Sequence, residues 1–166
     1  AFAANATASG VDGAIIVDAP PEEDEDLRAA MEKADLSLIR LFTPTTDAAR
    51  MPKVAEGVSG FAYYVSVAGI TGDKTTQTLN LEAAVNAVRV ATNLPVVVGF
   101  GIKTPAMAAE VAKVADGVAV GTALVDEIAI AAQSGRDAAK AAAAFCLSLS
   151  DAIKSARMKR KIGQVT

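Results

Sequence analysis

Two runs of small β-branched residues end on glycine within one stretch, "PVVVGFGIKTPAMAAEVAKVADGVAVGTALV" at 95–125. Val96 to Val98 lead to Gly99 and Gly101, and Val118 to Val120 lead to Gly121 and Thr122. A third glycine-bearing loop, with Gly69 and Gly72, follows "FAYYVS" at 61–66. Bare backbone at strand ends suits a phosphate, which wants several N–H groups aimed at it, best from a helix N-terminus. Glycine lets the chain come close and adopt unusual dihedrals. Gly101 precedes "KTP" and a helix, whereas Gly121–Thr122 opens "ALVDEI", where the Thr122 hydroxyl adds a donor. The alternative is that these glycines only make tight strand-to-helix turns.

The rest of the composition narrows the chemistry. There is no histidine, so the commonest general base and the commonest zinc ligand are both missing, and no metal site is expected. A net charge of −3 leaves no basic surface for nucleic acid. No apolar run reaches the roughly 20 residues of a membrane span. The first basic residue is Arg28, so the opening "AFAANATASG" does not resemble a secretory signal. The single cysteine, Cys146, reads as core packing in a helix, and a lone thiol suits a reducing, cytoplasmic setting.

The elements that would position these glycines repeat. β-Rich runs occur at 14–18, 37–42, 61–66, 95–100 and 117–121, with starts 23, 24, 34 and 22 residues apart. Helical segments intervene, opened by Glu22–Glu23, Asp47, Asn80 and Thr104–Pro105. Apolar runs without polar alternation indicate strands covered on both faces, hence a parallel sheet. An open five-stranded sheet and part of a (β/α)8 barrel both fit; a whole barrel needs eight strands. The long third interval places a loop over 66–80, a lid candidate. After Gly121 the chain reads as helix, a turn at Ser134–Gly135, and an alanine-rich helix with a basic end at Arg157, Lys159, Arg160 and Lys161. That end and the acidic run Glu22 to Asp26 both read as solvated helix termini.

The stretches "GVDGAIIVDAPPEE", "PTTDAAR", "SGFAYYVSVAGITG", "LPVVVGFGIKTP" and "ADGVAVGTALV" are similar, in order and spacing, to the tryptophan synthase alpha chain family. The similarity runs from about Gly10 to Asp126, with a looser helical tail. It implies a (β/α)8 TIM barrel that cleaves indole-3-glycerol phosphate to indole and glyceraldehyde 3-phosphate. It also implies a beta-chain partner, in an alpha2beta2 complex, whose pyridoxal phosphate joins indole to serine, with no cofactor in this chain. The five strands would be the fourth to the eighth, so residues 1–166 form the C-terminal part of one barrel domain. "AFAANATASG" would be the end of the preceding helix. By the same resemblance Gly72, Gly101, Gly121 and Thr122 match phosphate-binding positions. Tyr63, Thr71 and Phe100 match substrate-side positions, and Ile15, Val17 and Phe42 match pocket-lining ones. Asp18 matches an aspartate near the beta-chain interface.

Two departures stand out: Val67 replaces an arginine found in some members, and Thr122 replaces a common serine. The family's catalytic glutamate and aspartate match no residue of this sequence. No remaining carboxylate near a strand end, whether Asp18, Asp47 or Asp73, is assigned as catalyst. The chain is therefore expected to bind the phosphate end and to be inactive alone. Two other readings remain: a sugar-phosphate isomerase or epimerase barrel, and a non-catalytic half-barrel that assembles with another fragment. Because Phe42 matches a pocket position, alternation places Leu38, Arg40 and Phe42 on the barrel interior, where Arg40 needs a carboxylate partner, supplied from this chain or from an absent strand.

Overall fold

A computed structural model describes residues 1–66, 74–99 and 101–163. Within it run the helix α1 (Phe2–Ala8), the strand β1 (Gly13–Ile15), α2 (Glu25–Lys33), β2 (Ser37–Ile39), β3 (Leu41–Phe42), α3 (Met51–Ala55) and β4 (Ala62–Val65). Then come α4 (Lys74–Thr92), β5 (Val96–Gly99), α5 (Pro105–Val111), β6 (Gly117–Ala119), α6 (Thr122–Gln133) and α7 (Ala138–Gly163). β1 pairs with β2 in parallel, and the other strands are hydrogen-bonded in the order β3, β4, β5, β6. The chain divides into two compact units, residues 1–65 with 83–97 and residues 66–82 with 98–166.

The βα alternation expected from spacing is present, with differences in detail. The run 37–42 is interrupted at Arg40, so that β2 pairs with β1 and β3 pairs with β4. β1 stops at Ile15, and Val17 and Asp18 already turn. α2 is capped by Asp24 rather than begun at Glu22–Glu23. α4 begins at Lys74, so the expected loop 66–80 is helical from that residue onward, and Asn80 lies inside a helix instead of opening one. Thr104 caps α5, its hydroxyl accepting from the Met107 amide at 3.2 Å, with Pro105 in the first turn.

In the first unit, alternation sorts the strands into two faces. Ala14, Ile16 and Leu38 pack with Ala3, Met31 and Leu36 against α1 and α2. Ile15 pairs in register with Ile39, away from that cluster. Leu41 pairs with Tyr63, and Phe42 with Tyr64. Phe42 is completely buried, which is worth about 2–3 kcal/mol over exposure.

The second unit builds its core from Ile102, Ala108 and Leu149, with Val118 and Val120 from the β6 run and Phe145 and Ile153 from α7. α7 packs on α5 and α6. Cys146 is exposed rather than in the core, because α7 turns Phe145, Leu149 and Ile153 inward and the 3.6-residue period carries position 146 off that stripe. Arg157, expected to be merely solvated, donates to the Asp116 carbonyl. Among the described residues, no helix is long and apolar enough to cross a membrane.

Candidate functional site

The glycine loops belong to the second unit. Ser66 donates its amide and its hydroxyl to the Gly99 carbonyl, at 3.0 and 3.1 Å, which fixes the C-terminal end of β5. Gly101 then takes φ 73°, a left-handed conformation that side chains resist. Gly121 is the N-cap of α6 and Thr122 its first residue, as the sequence implied. The first helical amides, those of Thr122 and Ala123, have no intrahelical acceptor and carry the positive end of the helix dipole. Both Gly121 and Thr122 are exposed. A Cβ built on Gly121 meets nothing within 4 Å, so the space above this turn is open. Thr71, Gly72 and Phe100, the other residues assigned to this region by resemblance, lie outside the described residues.

The pocket-lining assignments belong to the first unit. Ile15 lies on the face opposite Ala14, and both it and Val17, in the turn after β1, are exposed. Tyr63, half-buried on β4, stands beside Leu41, and its amide donates to the Arg40 carbonyl at 3.0 Å. Phe42 pairs with Tyr64 instead, and adjacent strand positions face opposite ways. Tyr63 and Phe42 are therefore on opposite faces of the sheet, and the residue that accompanies Tyr63 is Leu41.

The same register corrects the expectation for Arg40. Leu38 sits in the α1/α2 core, and Arg40 donates through Nη2 to Asp24, the cap of α2. The Leu38–Arg40 face is thus the helix-covered face, not the barrel interior. A strand apolar on both sides carries no sign of which side faces inward. The carboxylate that Arg40 requires is present and comes from this chain, in the acidic run that read as a solvated helix start. Asp24 also faces Arg28, with 3.4 Å between Oδ1 and Nε. Arg28 continues to Glu56 at 2.6 Å, and Lys53 reaches Glu56 at 2.8 Å. The Lys53 ammonium and the Arg28 guanidinium hold the Glu56 carboxyl down at about 2, and Glu56 in turn raises the Arg28 pKa.

Beyond β1 and β3 the loops enclose a cavity of about 400 Å³, lined by Val17, Asp18, Arg40, Thr43, Thr46 and Arg50 among others. The "TPTT" segment turns tightly there, with the Thr46 amide on the Thr43 carbonyl at 2.9 Å and Pro44 at the second position. Asp47 accepts from the Arg50 amide at 2.8 Å, capping the turn that leads into α3.

The family model for the tryptophan synthase alpha chain matches residues 1–154. The chain is 54% identical over 156 residues to the tryptophan synthase alpha chain of Novosphingobium aromaticivorans, covering 94% of this chain and 58% of that protein. It is 52% identical over 160 residues to that of Caulobacter vibrioides, covering 96% and 58%. Among solved structures, tryptophan synthase subunit alpha from Legionella pneumophila superposes with a TM-score of 0.82 at 41% identity, over 93% of this chain and 56% of that one. Tryptophan synthase from M. tuberculosis, in an open form with BRD0059 bound, gives 0.74 at 30% identity, over 92% and 54%. The chain spans somewhat over half the length of the relatives it matches, and its parallel strands and helices make up part of their TIM barrel. With the family model covering nearly all of it, the chain belongs to the tryptophan synthase alpha chain family.

Proposed function

We propose that residues 1–166 are the C-terminal part of a single TIM-barrel domain and form the phosphate-holding side of an indole-3-glycerol phosphate lyase. The family's reaction in tryptophan biosynthesis is the cleavage to indole and glyceraldehyde 3-phosphate. The observation that carries the phosphate assignment is the turn at Gly121. An exposed glycine with open space above it caps a twelve-residue helix whose first amides are unpaired. Gly101, with its left-handed φ, contributes backbone from the neighbouring loop in sequence, and Gly72 belongs to the same set by resemblance. By resemblance Ile15, Val17 and Tyr63 of the first unit match indole-side positions of the family, as do Thr71 and Phe100. Phe42 is buried on the other face of its strand and would support them.

The chain's partner would be a tryptophan synthase beta chain carrying the pyridoxal phosphate, in the cytoplasm. This part of the reading rests on family membership. Calorimetric titration of the chain with glycerol phosphate tests the phosphate site. Binding is expected, with loss in Gly121→Val, where the added side chain occupies the anion's place. Since the Gly121 position has room, the variant should keep its circular dichroism spectrum; unchanged affinity would remove this glycine from the site.

A further inference from the structure

The long helix α7 carries two stripes, and the core uses one of them. Phe145, Leu149 and Ile153 pack with Ile102 and Ala108, and Ala156 on the same side is buried. At about 100° per residue, positions two further along lie on the far side of the helix. There Ala144, Leu147, Asp151, Lys154 and Met158 follow one another at alternating steps of three and four, all of them exposed. Leu147 is 59% and Met158 60% exposed. Single exposed apolar residues are ordinary, but this spacing keeps the five side chains in line, which is the pattern by which two helices pack along their length.

The order of residues along that line is self-complementary. Consider antiparallel contact with a second α7 about a twofold axis passing beside Ala152 and Ile153. Leu147 then stands opposite the second copy's Met158 and Asp151 opposite the second copy's Lys154, and the twofold repeats both contacts. Two ion pairs lie at the centre with an apolar layer on either side. Parallel contact in register would instead set Asp151 against Asp151 and Lys154 against Lys154, which like charge disfavours. Among the described residues, neither Asp151 nor Lys154 has an ion-pair partner within the chain. Ser148 and Ser155, beside the line, are too small to hold a second helix off.

We infer that the outer face of α7 is a docking surface for a second copy of this chain, in an antiparallel helix pair closed by twofold symmetry. The line from Ala144 to Met158 is about 21 Å long. One helix on one helix covers less than the roughly 1,600 Å² of a standard interface, so the dimer is weak, with a Kd on the order of 10–100 µM. The surface shares no residue with Gly101, Gly121 or Thr122 and stands or falls separately from the phosphate reading.

The test is sedimentation equilibrium of the whole chain from about 5 to 500 µM, a range that brackets that affinity. The mass is expected to rise from one chain toward two. Leu147→Glu, a change at an exposed position, should keep the circular dichroism spectrum and weaken association at least tenfold. Asp151→Lys sets lysine against Lys154 twice across the axis and should weaken it similarly, as should Lys154→Asp. The exchange Asp151→Lys/Lys154→Asp should return association to the wild-type level, a rescue that a merely structural role of either residue would not produce. A chain that stays monomeric throughout overturns the assignment. So does association that Leu147→Glu leaves unchanged or that the charge exchange fails to restore, either of which places the contact elsewhere, as at an open sheet edge. A monomer that binds a polypeptide supplying the relatives' remaining strands, with that binding lost in Leu147→Glu, also overturns it, because the face then serves completion of the barrel.

Discussion

Asp24 and Arg40, sixteen positions apart, form the one ion pair among the described residues in which both side chains are buried. The pair ties the cap of α2 to the point where the strand run 37–42 is interrupted. Asp24→Ala leaves the buried Arg40 guanidinium unpaired and is expected to cost about 3–5 kcal/mol, whereas Arg40→Met leaves Asp24 its second partner, Arg28, and should cost less. The double variant Asp24→Asn/Arg40→Met should cost far less than the sum, because a neutral pair carries no such penalty. Urea denaturation of the three variants measures this; additive losses would mean that the two groups act independently.

A second ionic cluster responds to pH. Glu56 sits at about 2 instead of its ordinary 4.5, held there by Lys53 and Arg28. Between those values the unfolded chain binds more protons than the folded one, so stability rises with pH. The contribution is fully present above about 4.5 and is lost as pH falls through 2. Glu56 is well exposed, so salt screens the effect. Thermal melts between pH 2 and 5 should show wild type losing more stability on acidification than Glu56→Gln, and the difference should shrink in high salt. Parallel pH profiles of the two proteins would count against it.

β1 and β2 approach each other closely at one glycine. A Cβ on Gly13 would stand 2.8 Å from both the Ser37 carbonyl oxygen and the Ser37 Cβ. Backbone cannot move aside as a flexible side chain can, so Gly13→Ala should destabilise by about 1–3 kcal/mol. Gly121→Ala, where nothing lies within 4 Å, meets no clash and should cost less, about 1 kcal/mol at most for the poorer alanine cap. Denaturant midpoints of the two variants decide it, and a larger loss at Gly121 would contradict the geometry.

The features legible in the sequence were those set by local chemistry. Thr104–Pro105 reads as a helix start because a hydroxyl cap and a proline at the first position act within a few residues, and that is where α5 begins. Gly121–Thr122 reads the same way. The features missed depend on tertiary placement. Leu38, Arg40 and Phe42 share a face by alternation, but whether that face meets helices or the barrel interior is decided by α2, whose Met31 and Asp24 meet Leu38 and Arg40. Asp24 looked like one member of a solvated acidic run, since a sequence does not show which of five neighbouring positions turns inward.

The described carboxylates near the strand ends lead to the last prediction, that this chain alone does not cleave indole-3-glycerol phosphate. A general acid or base must be free to exchange a proton with the substrate. Asp24 is held between two arginines, and Asp47 accepts from the Arg50 amide and caps its turn. Asp18 is exposed on the cavity wall, and no described neighbour positions it toward a substrate. Each missing acid or base group withholds about 10²- to 10⁴-fold in rate, whatever the phosphate contributes to binding. Purified chain incubated with indole-3-glycerol phosphate should release no indole above the buffer rate, and Asp18→Asn should behave identically. Adding a polypeptide that supplies the relatives' remaining barrel strands should restore release. Turnover by the chain alone at the rate of the supplemented mixture, lost in Asp18→Asn, would make Asp18 the catalyst and overturn the assignment of the acid–base chemistry to residues outside this sequence.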